Sequence, residues 1–298
     1  MEPLCLAVDI GGTKMAAALV DRQGELTHAD HVPTADSDDP EVVWAPLEAL
    51  IRAVAAHAPA GAIEVCGVGC GGPMERGGAT VSPLNIGAWR KFPLRVRVAE
   101  LAGVPTQVDN DAKALALGEG WRGAAVGCAN YLAMVVSTGV GGGIVLDGAL
   151  LDGRLGNAGH IGHVIVEPDG RRCSCGGFGC LEAEASGTAI AETTGHPPAE
   201  ASAEVIARTG TLVGRAVASV ANLLDLELAV VAGSVALGFG EPFFAAARAE
   251  IAFRARMEFS ADTRIEPAGL GAHGPLVGAG AVGWRFRDSR SGTGSDGG

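Results

Sequence analysis

Two histidines and three cysteines lie close together in the stretch GHIGHVIVEPDGRRCSCGGFGCLE, residues 159–182. Four of these side chains have the spacing H-x9-C-x-C-x4-C and could share one metal ion: His163, Cys173, Cys175 and Cys180. Three thiolates and an imidazole suit tetrahedral zinc. A disulfide would leave one of three local cysteines unpaired, and a catalytic zinc would need an open coordination position. The pattern favours a closed structural zinc site that keeps polar groups such as Glu182 in place.

Glycine-rich turns form a second chemical signal, in DIGGTK (9–14), STGVGGGI (137–144) and AGSVA (232–236). The first lacks the spacing of a Walker loop, and the second has Ile144 where a dinucleotide fingerprint needs its third glycine. Backbone amides freed by glycine can still bind phosphate, because no side chain blocks the approach. One such turn could be merely a tight hairpin. Three together favour a nucleotide held from two sides.

A candidate general base follows a short predicted strand in VDNDAK, residues 108–113. Asp111 stands at a predicted helix start, where its structural alternative is a helix N-cap. Asp109 and Asn110 precede it, which favours a polar site over a lone cap. If a γ-phosphate points toward this position, Asp111 can accept the proton of an attacking hydroxyl.

The elements around these residues alternate between strands and helices, so the sequence predicts an α/β protein. A strand pair around a glycine turn begins near residue 4 and again near residue 130, which indicates two similar lobes with a cleft between them. Helices are predicted at about 187–195, 201–209 and 211–225 from their apolar spacing.

The predicted division of the chain follows from these two cycles. Residues 1–110 are expected to form the N-terminal lobe, completed by a C-terminal helix at about 275–287. Residues 111–274 would form a larger lobe that carries the zinc site. Residues 288–298 have no apolar run and are predicted to be disordered.

Composition limits the classes of function. The net charge of −12 argues against a general nucleic-acid or membrane surface. The start of the chain lacks the pattern of a secretory signal, and no apolar run approaches the roughly 18–20 residues of a membrane helix. Seven cysteines, an odd number, fit a reducing cytoplasm.

The motifs DIGGTK, VDNDA, STGVGGGI and GHIGH…CSCGGFGCLE together resemble the ROK family of sugar kinases and repressors, over about residues 4–285. The resemblance implies the two-lobed, actin-like (ribonuclease H-like) ATPase fold, with the active site in the interlobe cleft and a structural zinc site. The first phosphate turn begins at residue 9, which leaves no room for the repressors' N-terminal helix-turn-helix domain. We therefore expect a kinase.

The resemblance also implies roles for individual residues. One group would bind the phosphates of ATP and Mg²⁺: Asp9, Gly11, Gly12, Thr13 and Lys14. The opposing phosphate turn and the adenosine contacts would come from Thr138, Gly139, Gly141, Gly142, Gly233 and Ser234. Contacts with the sugar are implied for Gly72, Asn85, Asn110, His160, His163 and Glu182. Asp111 matches the base that deprotonates the 6-hydroxyl of a hexose.

One departure from the family pattern concerns the sugar. The common motif is Glu-x-Gly-His, whereas this chain has His160 in place of the glutamate. A carboxylate only accepts hydrogen bonds, while a neutral imidazole also donates. A histidine at this position is similar to bacterial N-acetylmannosamine kinases, so N-acetylmannosamine and 3-amino-3-deoxyglucose are alternative substrates. Glucose is expected narrowly ahead of either one. A non-catalytic sugar-sensing protein is the alternative of another class, and by analogy the chain would form a homodimer or homotetramer.

Overall fold

The computed structural model describes residues 2–292, and these fold into two compact units. The first unit contains the residues up to Arg122, the segment Asp152–Asn157 and the residues from Ala272 onward. The second contains Gly123–Leu151 and Ala158–Gly271. Within the described residues, no helix combines the length and apolarity that a membrane span requires.

The regular elements alternate as the sequence predicts. The strands are, in chain order, β1 (Leu4–Ile10), β2 (Lys14–Val20), β3 (Leu26–Pro33), β4 (Ile63–Cys70), β5 (Thr106–Asn110), β6 (Tyr131–Val136), β7 (Val140–Leu146), β8 (Ala149–Leu150), β9 (Leu228–Ala232) and β10 (Arg264–Pro267). The helices are α1 (Pro40–Ala55), α2 (Leu94–Ala102), α3 (Asp111–Arg122), α4 (Leu181–Ala185), α5 (Gly187–Thr194), α6 (Ala203–Leu224), α7 (Ser234–Phe239), α8 (Glu241–Arg254) and α9 (Gly274–Gly292).

Each unit contains a five-stranded mixed sheet of the same design. The order is β3-β2-β1-β4-β5 in the first unit and β10-β9-β6-β7-β8 in the second. In both, three antiparallel strands form a meander, and two later strands run parallel to its first strand. The central strands β1 and β4 are nearly continuous apolar runs, because helices and core side chains cover both of their faces. The duplication agrees with the two cycles seen in the sequence.

Helix α9 returns from the end of the chain to the first unit, where it contacts β1, β4 and α3. The approach is close because glycines face each other: a Cβ on Gly67 would lie 2.0 Å from the carbonyl oxygen of Ala279 and 2.5 Å from the amide nitrogen of Gly283. Helix α3 therefore belongs to the first unit. The predicted boundary between residues 110 and 111 differs from this division, since α3 follows β5 directly and packs on α9.

Helix α9 also extends beyond its predicted end. The backbone of residues 288–292 is helical and continues α9, so the predicted disorder of 288–298 does not hold for this part. Residues 293–298 of that predicted tail lie outside the described residues.

Helix α6 corrects another expectation, because a single helix of 22 residues replaces the two predicted at 201–209 and 211–225. Gly210, which falls between the two predicted helices, lies inside α6 at its contact with α8. A Cβ on Gly210 would lie 2.3 Å from the carbonyl oxygen of Phe243. The glycine thus permits close helix packing and does not end the helix.

Candidate functional site

The carboxyl ends of three parallel strands bring acidic side chains together in the first unit. Asp9 on β1 pairs in register with Gly69 on β4, and Gly69 pairs with Asp109 on β5. A Cβ on Gly69 would lie 3.6 Å from Asp9 Oδ1 and 3.7 Å from the Cα of Asp111. The two predicted acidic site residues therefore flank the same glycine, at the edge of the sheet where ligands of α/β proteins commonly bind.

The proximity of these carboxylates affects the pKa values of the site. Burial and the neighbouring Asp111 carboxylate raise the pKa of Asp9 to about 7, and the Lys14 ammonium only partly offsets them. Burial, with the carboxylates of Asp111 and Asp9, also raises the pKa of the Cys70 thiol. Two carboxylates share this site with little positive charge, which is a suitable arrangement for a cation.

Asp111 is exposed and begins α3, and it does not cap this helix alone. The Ala112 N–H is 3.0 Å from Asn110 Oδ1 and 2.8 Å from Asp111 Oδ1. Asn110 and Asp111 therefore both offer acceptors to the first turn of α3, so the helix start does not depend on the Asp111 carboxylate alone. The role of Asp111 as a base stays a prediction.

The first predicted phosphate turn lies against a residue predicted to contact sugar. The Gly11 amide donates to the Lys14 carbonyl at 3.0 Å, which closes the turn between β1 and β2. A Cβ on Gly12 would lie 2.5 Å from the Cβ of Asn85, so only glycine lets these segments approach so closely. The turn continues through Thr13, whose carbonyl accepts from the Thr34 amide at 3.0 Å.

The two other sugar-site candidates of the first unit also meet. A Cβ on Gly72 would lie 3.5 Å from Asn110 Nδ2. The first unit therefore places its predicted residues in one region, around the ends of β1, β4 and β5.

In the second unit, the turn between β6 and β7 holds a predicted sugar ligand. The Val140 amide donates to Glu182 Oε2 at 3.1 Å, and a Cβ on Gly139 would lie 3.0 Å from the same oxygen. Glu182 belongs to α4, two residues after the metal-ligand candidate Cys180. The second predicted phosphate turn and the loop of the predicted metal ligands (residues 163–180, the metal loop) thus meet at Glu182.

The loop carrying His160 and His163 packs on the glycines of β7. Gly159 has φ of 99°, and a Cβ there would lie 2.6 Å from the carbonyl oxygen of Gly142. The rings of His160 and His163 have centroids 6.1 Å apart, and His160 is exposed. Gly141 lies in β7, opposite Val135 of β6.

The four predicted metal ligands come together. One atom from each of His163, Cys173, Cys175 and Cys180 lies within 4.8 Å of the others. The Cys173 Sγ is 3.7 Å from His163 Nδ1, and the Cys175 Sγ is 3.7 Å from the Cys180 Sγ. A zinc–sulfur bond of about 2.3 Å places two sulfurs of a tetrahedron roughly 3.8 Å apart. Both the donor types and their spacing therefore fit zinc.

Ser234 borders a cavity of about 640 Å³ in the second unit, and Gly233 directly precedes it in the chain. Gly233 has φ of 101° and lies against Val136, and the hydroxyls of Ser137 and Ser234 share a hydrogen bond of 2.9 Å. The cavity lining is mostly apolar: Thr138, Gly187, Thr188, Pro197, Pro198, Ala199, Ala201, Ile206, Ser234, Val235, Gly238 and Phe239. Such a lining suits a flat heterocycle with few polar contacts.

Sequence reasoning missed two groups of residues that support these sites. Thr188 binds the second predicted phosphate turn, since its amide and hydroxyl donate to the Thr138 carbonyl at 3.2 and 3.0 Å. The sequence signal that could have indicated this contact is Ser186-Gly187-Thr188 at the start of α5, where Ser186 caps the helix. The second group surrounds Lys113, a buried lysine two residues after Asp111.

Known proteins similar to this chain include sugar kinases. The ROK family model matches residues 5–284. N-acetylmannosamine kinase of Escherichia fergusonii is 37% identical over 250 residues, which cover 79% of this chain and 84% of that protein. The corresponding kinase of Salmonella typhi is 35% identical over 253 residues, with the same coverage.

Solved structures agree with the fold. A ROK glucokinase from Streptomyces griseus, in complex with glucose and AMPPNP, is 30% identical with a TM-score of 0.81, covering 95% of this chain and 99% of that one. A ROK hexokinase from Thermus thermophilus is also 30% identical with a TM-score of 0.81, covering 96% and 99%. The paired sheets and these likenesses define an actin-like sugar kinase, which confirms the predicted fold class and enzyme class. The chain belongs to the ROK family.

Proposed function

We propose that this sugar kinase transfers the γ-phosphoryl group of ATP to the 6-hydroxyl of N-acetylmannosamine or a similar N-acylated hexosamine. The observation that carries the choice of sugar is His160, which is exposed on the same loop as His163. An N-acyl group offers both a carbonyl acceptor and an N–H donor, and a neutral imidazole can match either of them. Relatives that are 35–37% identical are N-acetylmannosamine kinases.

In the proposed reaction Asp111 is the general base. Its carboxylate accepts the proton of the 6-hydroxyl while that oxygen forms a bond to the γ-phosphorus of ATP. The bond from the γ-phosphorus to its bridging oxygen breaks, and ADP leaves. Asn110 precedes Asp111 in the chain and lies beside Gly72, and both residues would orient the sugar by contacts with its hydroxyls.

Magnesium is the cation that fits the carboxylate site of the first unit. Asp9 is the residue we propose to hold it, because its carboxyl group lies near a second carboxylate and has an elevated pKa. When bound, Mg²⁺ would neutralise charge on the phosphates of ATP. The glycine turn from Gly11 to Lys14 would add backbone amides and one ammonium.

The adenosine of ATP is proposed to occupy the cavity beside Ser234 and Thr138. Its size and apolar lining support this assignment. The Streptomyces griseus glucokinase was solved with AMPPNP, an analogue of ATP.

A structural zinc ion is proposed for the Cys₃His cluster. With four protein ligands the ion would have no open position, so its role is to hold the loop and Glu182 and not to react. Thiolate ligands are stable where cysteines stay reduced, which supports the cytoplasm as the compartment. A homodimer or homotetramer remains a prediction from analogy.

Glucose is the second candidate substrate. The observation in its favour is the 30% identity to a glucokinase solved with bound glucose. In that case the presence of His160 in place of the family's usual glutamate would leave the preference for glucose intact.

A panel of sugars tests the proposal. Purified protein with ATP and Mg²⁺ is assayed for kcat/KM on N-acetylmannosamine, N-acetylglucosamine, glucose, mannose and 3-amino-3-deoxyglucose. The proposal expects N-acetylmannosamine to exceed glucose by about tenfold or more, the size of effect that a mismatched polar group gives. A higher kcat/KM for glucose would overturn the assignment of the sugar while leaving the kinase class intact.

A further inference from the structure

Lys113 lies in α3, two residues beyond the proposed base, and is only 2% exposed. Its Nζ atom is 2.9 Å from Asp109 Oδ1 and 2.7 Å from Asp152 Oδ1. It also donates to the carbonyl oxygen of Gly156 at 3.2 Å. One buried ammonium thus joins β5, α3 and the segment 152–157, all within the first unit.

The Asp109 carboxylate links this ammonium to the proposed site. Its Oδ1 atom accepts from the Asn110 amide at 2.8 Å as well as from Lys113. Asn110 and Asp111 lie between Asp109 and Lys113 in the chain, at the bend where β5 ends and α3 begins. The position of one oxygen therefore constrains the backbone that carries both site residues.

Charge balance makes Lys113 necessary for that constraint. Burial raises the pKa of Asp109, and Lys113 opposes this effect by charge and by its hydrogen bond. Without the ammonium, Asp109 would be a buried carboxylate with its counter-ion removed, which favours reorientation or protonation. Either change would release the Asn110 amide.

A small cavity beside the cluster allows such movement. It has about 150 Å³ and is lined by Asp109, Lys113, Asp152, Gln107 and residues 74–77, among others. A carboxylate that loses its partner can turn toward this space and be hydrated there. Loss of the ammonium should therefore disturb the site more than it disturbs the fold.

We propose that Lys113 is a positioning residue, which holds Asp109 and through it the Asn110–Asp111 bend in the geometry that proton acceptance requires. The inference rests on the proposed role of Asp111 as base. It goes beyond that role because it assigns the alignment of the base to a lysine that does not touch the substrate.

The test compares Lys113→Met with Lys91→Met, an exposed lysine in the same unit. For Lys113→Met we expect kcat to fall about thirtyfold per folded molecule, because small displacements of reacting groups cost up to roughly a hundredfold. The KM for ATP should stay within about twofold, since Lys113 lies outside the phosphate turn. Lys91→Met should match the wild type.

Rescue distinguishes positioning from a merely structural role. In the double variant Asp109→Asn, Lys113→Met the buried charge is gone, and the amide oxygen of the new side chain can still accept from Asn110. We expect the kcat of the double variant to rise above that of Lys113→Met and to lie within about threefold of that of the single variant Asp109→Asn. If Lys113→Met gives no folded protein, Lys113→Gln is assayed in its place, with the same expected fall in kcat and the same limit on the KM for ATP.

Two results would overturn the inference: a kcat for the Lys113 variant within about threefold of the wild type, or no recovery in the double variant. Asp111→Asn, assayed in parallel, separates this failure from failure of the proposed function. An active Asp111→Asn refutes the base itself, whereas an inactive one with an active Lys113→Met refutes only the positioning role.

Discussion

Asp111 begins α3 directly after β5 at the edge of the first sheet, while Asp9 lies on β1, with Gly69 between them. The two carboxylates differ in accessibility: Asp111 is exposed, whereas Asp9 is half-buried. This difference supports distinct roles, with Asp111 open to a sugar hydroxyl and Asp9 suited to a cation.

Asp111→Asn tests the base. We expect kcat to fall by about a thousandfold, because general base catalysis typically contributes roughly 10²–10⁴-fold. The fold should survive, since Asn110 still offers an acceptor to the first turn of α3. Steady-state kinetics and circular dichroism measure the two effects, and residual activity within about tenfold of the wild type would contradict the assignment.

The pKa of Asp9 predicts how stability depends on pH. A folded-state value of about 7, above the ordinary 3.8, means that the folded protein retains a proton that the unfolded chain releases. Stability present below pH 4 is therefore lost as the pH rises toward 7. In EDTA, the unfolding free energy of Asp9→Asn should exceed that of the wild type by a margin that grows by on the order of 2 kcal/mol from pH 5 to pH 8.

Asp38→Asn is the control for this titration, because Asp38 is an exposed carboxylate in the same unit. Its unfolding free energy is measured in EDTA at the same pH values for comparison. A constant margin for Asp9→Asn would show that Asp9 ionises normally.

His160→Glu tests the residue that carries the choice of sugar. The carboxylate would restore the common family pattern and remove a hydrogen-bond donor, so the ratio of kcat/KM for glucose over N-acetylmannosamine should rise at least about tenfold. His196→Glu, an exposed histidine in the second unit, makes the same charge change and should leave the ratio unaltered. An unchanged ratio for His160→Glu would remove the support for an N-acylated sugar.

At the scale of elements, glycines decide how closely helices and strands approach. Gly210→Ala would place a methyl group 2.3 Å from the Phe243 carbonyl, where α6 meets α8. We expect a loss of about 2 kcal/mol in the free energy of unfolding, as for other overpacked positions. Gly238→Ala is the matched control: it lies in α7 with open space around it and should be neutral or gain about 0.5 kcal/mol. Equal effects of the two changes in chemical denaturation would contradict this explanation of α6.

The metal loop gives another prediction at this scale. Cys173→Ser should lose bound zinc and lower the thermal midpoint by about 5–10 °C, because ligand binding contributes directly to folding. Cys128→Ser, half-buried and away from the cluster, should keep one zinc per chain. Elemental analysis and thermal unfolding measure this, and a zinc content unaffected by Cys173→Ser would exclude the site.

Local patterns made many elements predictable, but not all. The apolar runs of β1 and β4 and the helix start at Asp111 follow from neighbouring residues, as does the H-x9-C-x-C-x4-C spacing. The continuity of α6 does not, because only its contact with α8 explains Gly210. The Lys113 cluster depends on Asp152, which lies 39 residues away, so no local pattern could indicate their pairing.

At the scale of the whole molecule, one strand order occurs twice and the chain returns to its first unit through α9. The repetition was visible in the sequence as two strand pairs around glycine turns. The sequence did not show that α3 belongs to the first unit, because this depends on its packing against α9, which follows about 150 residues later. Family resemblance supplied the roles of individual residues, which strand and helix patterns alone do not provide.

Identification of the product formed from ATP and the preferred sugar tests the transfer to the 6-hydroxyl most directly. We expect one ADP per sugar consumed and phosphate attached at carbon 6, detected by phosphorus–proton correlation in NMR spectra. The 6-deoxy analogue of that sugar should yield no phosphorylated product. Phosphate at another carbon, or no ADP above the rate without sugar for any hexose or aminohexose, would contradict it.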